Sequence, residues 1–223
     1  MENFITGFPS REFQVREELL HVLGKEKYDA FFNSVSIVRI SNNQILLNFF
    51  ADADAKFLKE NGLNALRIPF NYNHFLEQPK QLYPFKINSE GFKHLDRVVN
   101  LCATHRIYAI LDLHAVPGGQ NTDWHSDSPG HHASFWDLLD YQNWVVDLWR
   151  EITKRYKTQP WIAGFNPLNE PTDKTHRKLL EFYDRIVKAI RSVDADHLSI
   201  SNPSIADSQS FSMPTHSAQT SPS

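Results

Sequence analysis

Short apolar segments alternate with amphipathic helical segments between residues 63 and 201. Strands are predicted at four places, 63–70, 107–113, 161–168 and 197–201. Between them, apolar residues recur at helical spacing and predict helices over 90–105, 134–156 and 173–192. Strands separated by helices pair in parallel, with right-handed crossovers. The alternation therefore predicts an α/β fold built on a parallel sheet.

Outside this alternation, the two ends of the chain have different patterns. Helices are predicted over 11–23, 25–33 and 52–61. Gly24 and Gly62 are the stop signals that end the first and the third of them. A β-hairpin is predicted over 35–48, where two apolar runs flank a polar turn. Residues 202–223 are rich in Ser, Thr and Pro and hold few apolar residues, which predicts a disordered tail.

Composition places the chain among ordinary globular proteins. Its 223 residues are 41% hydrophobic and carry a net charge of -3, which gives no reason to expect nucleic acid as a partner. A single cysteine, Cys102, excludes an intrachain disulfide and is predicted to be buried. No apolar run is long enough for a membrane span, and no signal peptide is visible, so a cytoplasmic location is the default expectation.

The predicted strand 161–168 ends in a carboxylate. Pro167 and Pro171 bracket the dipeptide Asn169-Glu170, and a proline cannot continue a strand ladder. In a parallel α/β barrel, side chains at the C-terminal ends of strands line the active site. Glu170 is therefore a candidate catalytic acid, with Asn169 beside it to orient substrate. An acidic residue that caps the next helix is an equally good explanation of the spacing alone.

Two other predicted strands end in side chains that suit a site. Arg67 lies near the end of the first strand, and His114 follows the second. The alternatives are an Arg67 that pairs with a helix carboxylate and a His114 that is satisfied in the core. Asp112 lies two residues before His114, so both side chains share one face of the strand, where Asp112 is expected to be a polar residue of the barrel core.

The loop 115–132 holds the acidic and histidine side chains Asp123, His125, Asp127, His131 and His132. A metal site is one interpretation. These residues lack a fixed ligand spacing, so a solvated loop is favoured and no metal or other cofactor is expected. Trp124 and Trp136 either stack on sugar or pack in the core, and the sequence does not separate the two.

Three strand-end motifs, which follow one another along the chain in the same order as in the family, resemble those of glycoside hydrolase family 5. They are Leu66-Arg67-Ile68-Pro69, Leu111-Asp112-Leu113-His114 and Asn166-Pro167-Leu168-Asn169-Glu170-Pro171. The loop segments Gly118-Gly119-Gln120-Asn121 and Trp124-His125-Ser126 strengthen the likeness to the fungal glucanases and glucosidases of that family. The resemblance extends from about Met1 to His197 and implies a (β/α)₈ barrel, here partial, with about four to five parallel strands.

This resemblance also implies roles for particular residues. Glu170 matches the acid/base carboxylate of a retaining glycosidase, and Asn169 matches the residue that binds the sugar 2-hydroxyl. Arg67 matches the arginine beneath the nucleophile. His114, with Asn121 and Trp124 of the loop, matches substrate-binding positions. The implied partner is a β-linked glucoside or glucan, whose O-glycosyl bond is hydrolysed.

The sequence also departs from the family pattern. A retaining glycosidase needs a second carboxylate as nucleophile, which the family takes from its seventh strand. No Glu in a strand-end context follows Glu170, since Glu181 falls in a predicted helix. We therefore expect residues 1–201 to form an incomplete barrel without its first strand and without the strands after the fifth, with 35–48 as an insertion.

The resulting expectation is a glycosidase domain that is inactive or impaired because its nucleophile is absent. The alternatives are a sugar-binding pseudoenzyme, and a metal-dependent hydrolase that uses the His-rich loop 114–132.

Overall fold

A computed structural model of the chain describes residues 12–37, 50–76, 86–128, 132–173 and 175–199. Within these residues, one sheet has four parallel strands in the order β1-β2-β3-β4. The strands are β1 (Ala65–Asn71), β2 (Tyr108–Ala115), β3 (Ile162–Asn166) and β4 (Leu198–Ser199). Parallel neighbours that follow one another in sequence, with helices between them, form part of a (β/α)₈ barrel. The predicted fold class is confirmed.

Five α-helices accompany this sheet in the described part of the chain. They are α1 (Glu12–Ile37), α2 (Asp52–Glu60), α3 (Phe92–Thr104), α4 (Leu139–Tyr156) and α5 (Arg177–Arg191). The helices α3, α4 and α5 each follow one strand and precede the next, as the alternating pattern predicted. None of the described helices is long and apolar enough to cross a membrane.

The structure corrects two predicted strand boundaries. Strand β1 continues past Pro69 to Asn71, with Pro69 paired opposite Asp112. Among the described strands, β1 has a neighbour on one side only, and a proline is tolerated there because its missing N–H needs no partner. Strand β3 is shorter than predicted and ends at Asn166, directly before Pro167.

The predicted break between two N-terminal helices agrees with the structure. Residues on both sides of Gly24 are helical, but Gly24 itself has a φ of 71° and a ψ of 161°, which interrupt the helix within α1 and suit glycine. The prediction for residues 35–37 is wrong, because they are the last turn of α1 and do not begin a hairpin. A short apolar run does not distinguish a strand from a helix by its pattern alone. The remainder of the predicted hairpin and the predicted tail lie outside the described residues.

Aromatic side chains join the helices to the sheet. Trp149 on α4 lies edge-on to Phe165 of β3, with ring centroids 5.6 Å apart, and 6.0 Å from the ring of Phe70 of β1. Phe182 on α5 lies 5.0 Å from Phe135. These rings are buried, and such pairs add to the free energy gained by burying their area. The core therefore lies between the sheet and α3–α5, and it holds the strand ends in place.

The buried ring of Phe182 provides a test of this packing. A Phe→Ala change in a core loses transfer free energy and leaves a cavity, at a cost of about 3–5 kcal/mol. We expect Phe182→Ala to lower the free energy of unfolding by that amount, measured by urea denaturation followed by circular dichroism. Leu180→Ala on the same helix is the control, since Leu180 is 65% exposed. Equal losses from both changes would contradict the described packing of α5.

Candidate active site

The predicted site residues lie close together. Arg67 on β1 donates from Nη2 to Oδ1 of Asn169, at 2.5 Å, although the two are 102 positions apart. Nδ2 of Asn169 lies 3.5 Å from Nε2 of His114, at the end of β2. Arg67 was predicted near the end of its strand but is the third of the seven residues of β1, so its long side chain reaches Asn169 from farther back in the sheet. The side chains of β1, of β2 and of the segment after β3 therefore meet at the edge of the sheet where a parallel α/β barrel carries its active site.

Asp112 is the centre of this network. The residue is fully buried, and its carboxylate receives Nη2 of Arg67 at 3.0 Å, Nδ2 of Asn166 at 2.5 Å and Nδ1 of His114 at 2.8 Å. A buried carboxylate requires such partners, because burial of an unpaired charge is costly. One side chain thus ties together three strands. It also fixes the tautomer of His114, whose Nδ1–H points to Asp112 and whose Nε2 accepts.

The amide of Asn169 has a fixed orientation. Its Oδ1 accepts from Arg67, so Nδ2 faces His114. The backbone is held as well, since the N–H of Asn169 donates to the carbonyl of Leu113 at 3.0 Å and its carbonyl accepts from Nε2 of Gln120 at 2.9 Å. The Asn169 side chain is therefore held in one position before any ligand binds.

Glu170 extends from this network toward solvent. Its backbone has a φ of 42°, which is rare for a residue with a side chain and costs about 1–3 kcal/mol where it occurs. The side chain is 63% exposed, and Oε2 lies 3.2 Å from Nε2 of His125. The carboxyl is thus accessible to a ligand and has one histidine beside it.

Helix capping is performed by a different carboxylate. Oδ2 of Asp173 accepts from the N–H of Lys178 at 2.9 Å and of Leu179 at 3.3 Å, in the first turn of α5. Burial raises the pKa of Asp173, but hydrogen bonds from the Thr175, Leu179 and Lys178 N–H groups outweigh it, so this pKa lies below its usual range. The capping explanation, which the spacing had left open for Glu170, therefore applies to Asp173.

A glycine turn brings the loop after β2 against the strand ends. Gly118 and Gly119 have φ values of 78° and 73°, and a Cβ on Gly119 would lie 2.5 Å from Cβ of Ser128. The turn aims Gln120 inward, where Nε2 donates to the carbonyls of His114 and Asn169. The Gln120 residue is fully buried and connects β2 to the segment after β3.

Asn121 and His125 both contact Glu170. Nδ2 of Asn121 donates to the carbonyl of Glu170 at 2.8 Å and lies 3.0 Å from Nε2 of His125. Burial lowers the pKa of His125, and the nearby His114 lowers it further, whereas the negative charges of Glu170, Asp123 and Asp112 act in the opposite direction. The net effect is a pKa below the usual value for histidine.

The two loop tryptophans have different environments. Trp136 is 6% exposed, donates its indole N–H to the carbonyl of Gln120 at 2.9 Å and packs against Phe135 and Phe182. Its packing role is therefore established. Trp124 is 40% exposed and lies edge-on to His125, with ring centroids 5.7 Å apart. Trp124 is therefore the tryptophan with an accessible ring face, and it lies beside His125, which contacts Glu170.

A metal centre was the other interpretation of the His-rich loop. Within the described ranges, which omit 129–131, no group of three or more His, Cys, Asp or Glu side chains is placed to hold a metal ion. His132 pairs instead with Asp137 at 2.9 Å, and Asp127 accepts from Asn71 at 3.1 Å. The partners of these two side chains are protein groups outside the loop, Asn71 on β1 and Asp137 before α4.

Sequence reasoning missed three residues of the site. Asp112 was expected only as a core polar residue. Gln120 and His125 belonged to loop motifs in which they had no assigned role, and His125 was otherwise considered only as a metal ligand. A signal for Asp112 was available, because it shares a strand face with His114. None was available for His125, since only the folded loop shows that its ring faces Glu170.

Comparison with known proteins connects this geometry to a family. Residues 30–220 match the family model described as Cellulase (glycosyl hydrolase family 5). A β-xylosidase of Phanerodontia chrysosporium is 51% identical over 197 residues, which cover 88% of this chain and 39% of that protein. Endoglucanase C of Acetivibrio thermocellus is 24% identical over 161 residues, covering 72% of this chain and 44% of that protein.

Solved structures show the same architecture. Endoglucanase Cel5A of Thermotoga maritima has a TM-score of 0.55 at 25% identity, and the match covers 69% of this chain and 44% of that one. The same endoglucanase has been solved in complex with cellobiose. The chain spans less than half the length of these relatives.

The glycine turn yields a test of how the site is held. Gly119→Ala adds a Cβ that meets Ser128, whereas a Cβ at Gly62 meets nothing within 4 Å. Both changes carry the strain of an L-residue at positive φ, about 1–2 kcal/mol. Overpacking adds about 1–3 kcal/mol, so we expect Gly119→Ala to lower the free energy of unfolding by more than Gly62→Ala does. Equal losses in thermal denaturation would show that the turn does not press on Ser128.

Proposed function

The chain belongs to glycoside hydrolase family 5, and from this membership we propose that it carries the acid/base part of a retaining glycosidase site. The observation that supports the proposal best is the accessible carboxyl of Glu170 next to the fixed amide of Asn169. A glycosidic oxygen is a poor leaving group until it is protonated. Glu170 donates that proton in the first step and removes a proton from water in the second.

The fixed neighbours of Glu170 suit substrate positioning. Asn169 presents an amide held by Arg67 and the backbone, and we assign it to the sugar 2-hydroxyl. His114, held by Asp112, is assigned to a neighbouring sugar hydroxyl. Asn121 supports the backbone of Glu170, and Trp124 offers an aromatic face to a sugar ring. Groups held in advance avoid the entropic cost of ordering when the substrate binds.

We further propose that the described residues do not supply the nucleophile. In a retaining glycosidase, the second carboxylate lies about 5–5.5 Å from the first. Asp112 is fully buried, and its two oxygens are engaged by Arg67, Asn166 and His114. Glu181 lies on α5 and pairs with Arg177 at 2.9 Å. Arg67 is about half exposed, and we assign its remaining N–H groups to a nucleophilic carboxylate that lies outside the described residues.

The proposed substrate class is β-linked glucosides or glucans. Endoglucanases of Acetivibrio thermocellus and Clostridium sp. and a protein of Aspergillus fumigatus named "Probable glucan 1,3-beta-glucosidase A" are among the relatives, and the Thermotoga endoglucanase has been solved with cellobiose. The β-xylosidase relative makes a β-xyloside the natural competitor. Glucose and xylose differ by one hydroxymethyl group. The rates of hydrolysis of an aryl β-glucoside and of the aryl β-xyloside with the same leaving group therefore show which sugar is preferred.

This proposal predicts little hydrolysis by the 223-residue chain itself. In a serine protease, removing the nucleophile cost about 10⁶-fold in turnover. We expect a deficit of that order in hydrolysis of an aryl β-xyloside, relative to the Phanerodontia β-xylosidase. Azide, supplied as an external nucleophile, should attack C1 and release the phenolate, giving the α-glucosyl azide with 2,4-dinitrophenyl β-glucoside.

Leaving groups separate the role of Glu170 from that of the nucleophile. Dinitrophenolate leaves without a proton, so Glu170→Gln should keep the azide reaction with that substrate and lose it with phenyl β-glucoside. Rapid hydrolysis without azide, abolished by Glu170→Gln, would show that another carboxylate of this chain is the nucleophile. Cellobiose binding without any azide product would favour the sugar-binding alternative.

A further inference from the structure

We propose that Gln120 and Asn121 form an amide clamp, a pair of positioning residues that hold the backbone of Glu170 at positive φ and thereby aim its carboxyl. The φ of Glu170 is 42°. The hydrogen bonds that carry this inference join the two side-chain amides to the backbone carbonyls on either side of the Glu170 Cα atom. The purpose of the clamp rests on the proposed function, in which this carboxyl reaches a glycosidic oxygen.

The local sequence disfavours the observed conformation of Glu170. A positive φ brings the Cβ atom of an L-residue close to its own carbonyl oxygen. Pro171 follows directly, and a residue before proline is restricted to extended conformations with negative φ. A strained residue of this kind persists only where the surrounding structure determines its conformation. The determinants of the positive φ therefore lie in the contacts of the Glu170 backbone.

Two peptide planes meet at the Cα atom of Glu170, and each is held by one amide. In the plane before it, the carbonyl of Asn169 accepts from Nε2 of Gln120 at 2.9 Å. In the plane after it, the carbonyl of Glu170 accepts from Nδ2 of Asn121 at 2.8 Å. Because the peptide group is planar, φ and ψ of Glu170 alone set the relative orientation of these planes. The amide clamp therefore restrains both dihedral angles.

The next peptide planes outward are anchored to the same part of the chain. The N–H of Asn169 donates to the carbonyl of Leu113 at 3.0 Å, and the N–H of Thr172 donates to the carbonyl of Gln120 at 3.0 Å. Four consecutive planes thus bond to the end of β2 and the loop after it. A peptide flip that brought Glu170 to negative φ would turn the carbonyl of Asn169 away from Gln120.

The amides of the clamp have fixed orientations. Gln120 is fully buried, and its Nε2 also donates to the carbonyl of His114 at 2.8 Å. A flipped amide would place Oε1 of Gln120 against two carbonyl oxygens, which cannot donate to it. Asn121 is buried as well, and its Oδ1 accepts from the N–H of Asp123 at 2.9 Å. Both donors therefore point at the Glu170 backbone before any ligand binds.

The direction of the Glu170 carboxyl follows from this backbone conformation. At positive φ the Cα–Cβ bond points to a different side of the chain than it does in an extended conformation. The carboxyl itself is exposed, so the backbone decides where it begins its reach toward a ligand. A reacting group misplaced by about 1 Å can cost about 10²-fold in rate. The clamp thus serves the proposed transfer of a proton from Glu170 to the leaving oxygen.

The φ of Glu170 can be measured by NMR without any need for turnover. Asn169-Glu170 is the only Asn-Glu pair in the sequence, so a sample with carbonyl-¹³C asparagine and ¹⁵N glutamate gives one carbonyl-coupled amide signal. A positive φ brings that amide proton close to its own Hα and gives a strong cross-peak. We expect this cross-peak in the unsubstituted chain and its loss in Gln120→Met, which keeps the side-chain size but removes both donors. A strong cross-peak that survives in Gln120→Met, or one that is absent from the unsubstituted chain, would overturn the proposal.

Gln142→Met is the matched control for this variant. Gln142 is also a buried glutamine, and its Nε2 donates to the carbonyl of Phe135 at 3.1 Å. It lies on α4 outside the amide clamp, so we expect its substitution to lower the Tm and to keep the cross-peak. Loss of the cross-peak in both variants would overturn the clamp. Should Gln120→Met not fold, Asn121→Ala, which releases only the plane after Glu170, is judged by the same criteria.

Glycine and alanine at position 170 give a second test, which needs no spectral assignment. Glycine adopts a positive φ without strain, whereas alanine is the more stabilising of the two in an extended conformation. We expect Glu170→Gly to have the higher Tm in the unsubstituted background and Glu170→Ala to have the higher Tm in the Gln120→Met background. The same order in both backgrounds would overturn the proposal.

The azide reaction connects the clamp to the acid/base role. Gln120→Met should lose about 10²-fold more rate with phenyl β-glucoside than with 2,4-dinitrophenyl β-glucoside, because only the phenyl leaving group needs the proton. Equal losses with both glucosides would overturn the positioning role, since a general folding defect affects both alike.

The two measurements keep this inference apart from the proposed function. The predicted cross-peaks without azide product from either glucoside would retain the backbone clamp and lose the glycosidase assignment. Azide products from the unsubstituted chain, with a cross-peak that Gln120→Met does not change, would retain the glycosidase assignment and lose the clamp.

Discussion

The carboxylate of Asp112 is the interaction on which the site depends. It is buried in the sheet and receives donors from its own strand and from the strand on each side. The strand register makes this possible, because Pro69, Asp112 and Asn166 lie opposite one another. A buried charge that lost one partner would be strongly destabilising. The network therefore ties the strands together and, through Arg67 and His114, fixes the amide of Asn169.

The site consequently has a rigid part and an accessible part. The rigid part is the strand-end network, whose side chains are held before any ligand arrives. The accessible part is Glu170, which has a strained backbone, an exposed carboxyl and contacts to Asn121 and His125 of the loop after β2. Such a division suits an acid/base group, which must reach a substrate oxygen and exchange protons while its neighbours hold the sugar in place.

Local sequence patterns predicted much of this fold, because the apolar spacing of β2, α4 and α5 agrees with their place in the core. The positions of His114 and Asn169 at the ends of their strands followed from the same alternation, whereas Arg67 lies at the third residue of β1 and not near its end. Such local patterns do not predict contacts between segments that are distant in sequence. The proximity of His125 to Glu170 depends on the path of a glycine-rich turn, and the run of β1 through Pro69 depends on its having one strand neighbour among those described. Residues 35–37, the last turn of α1, have a short apolar pattern that is compatible with a strand as well as with a helix.

A crystal structure of the chain soaked with cellobiose would show whether Glu170 is placed to act as the acid/base group. We expect the glycosidic oxygen to lie within hydrogen-bonding distance of the Glu170 carboxyl, about 2.6–3.2 Å. We also expect the 2-hydroxyl of the adjoining sugar to contact the amide of Asn169. Cellobiose bound away from the strand ends, or bound there with its glycosidic oxygen out of reach of Glu170, would contradict the assignment of this carboxyl as the acid/base group.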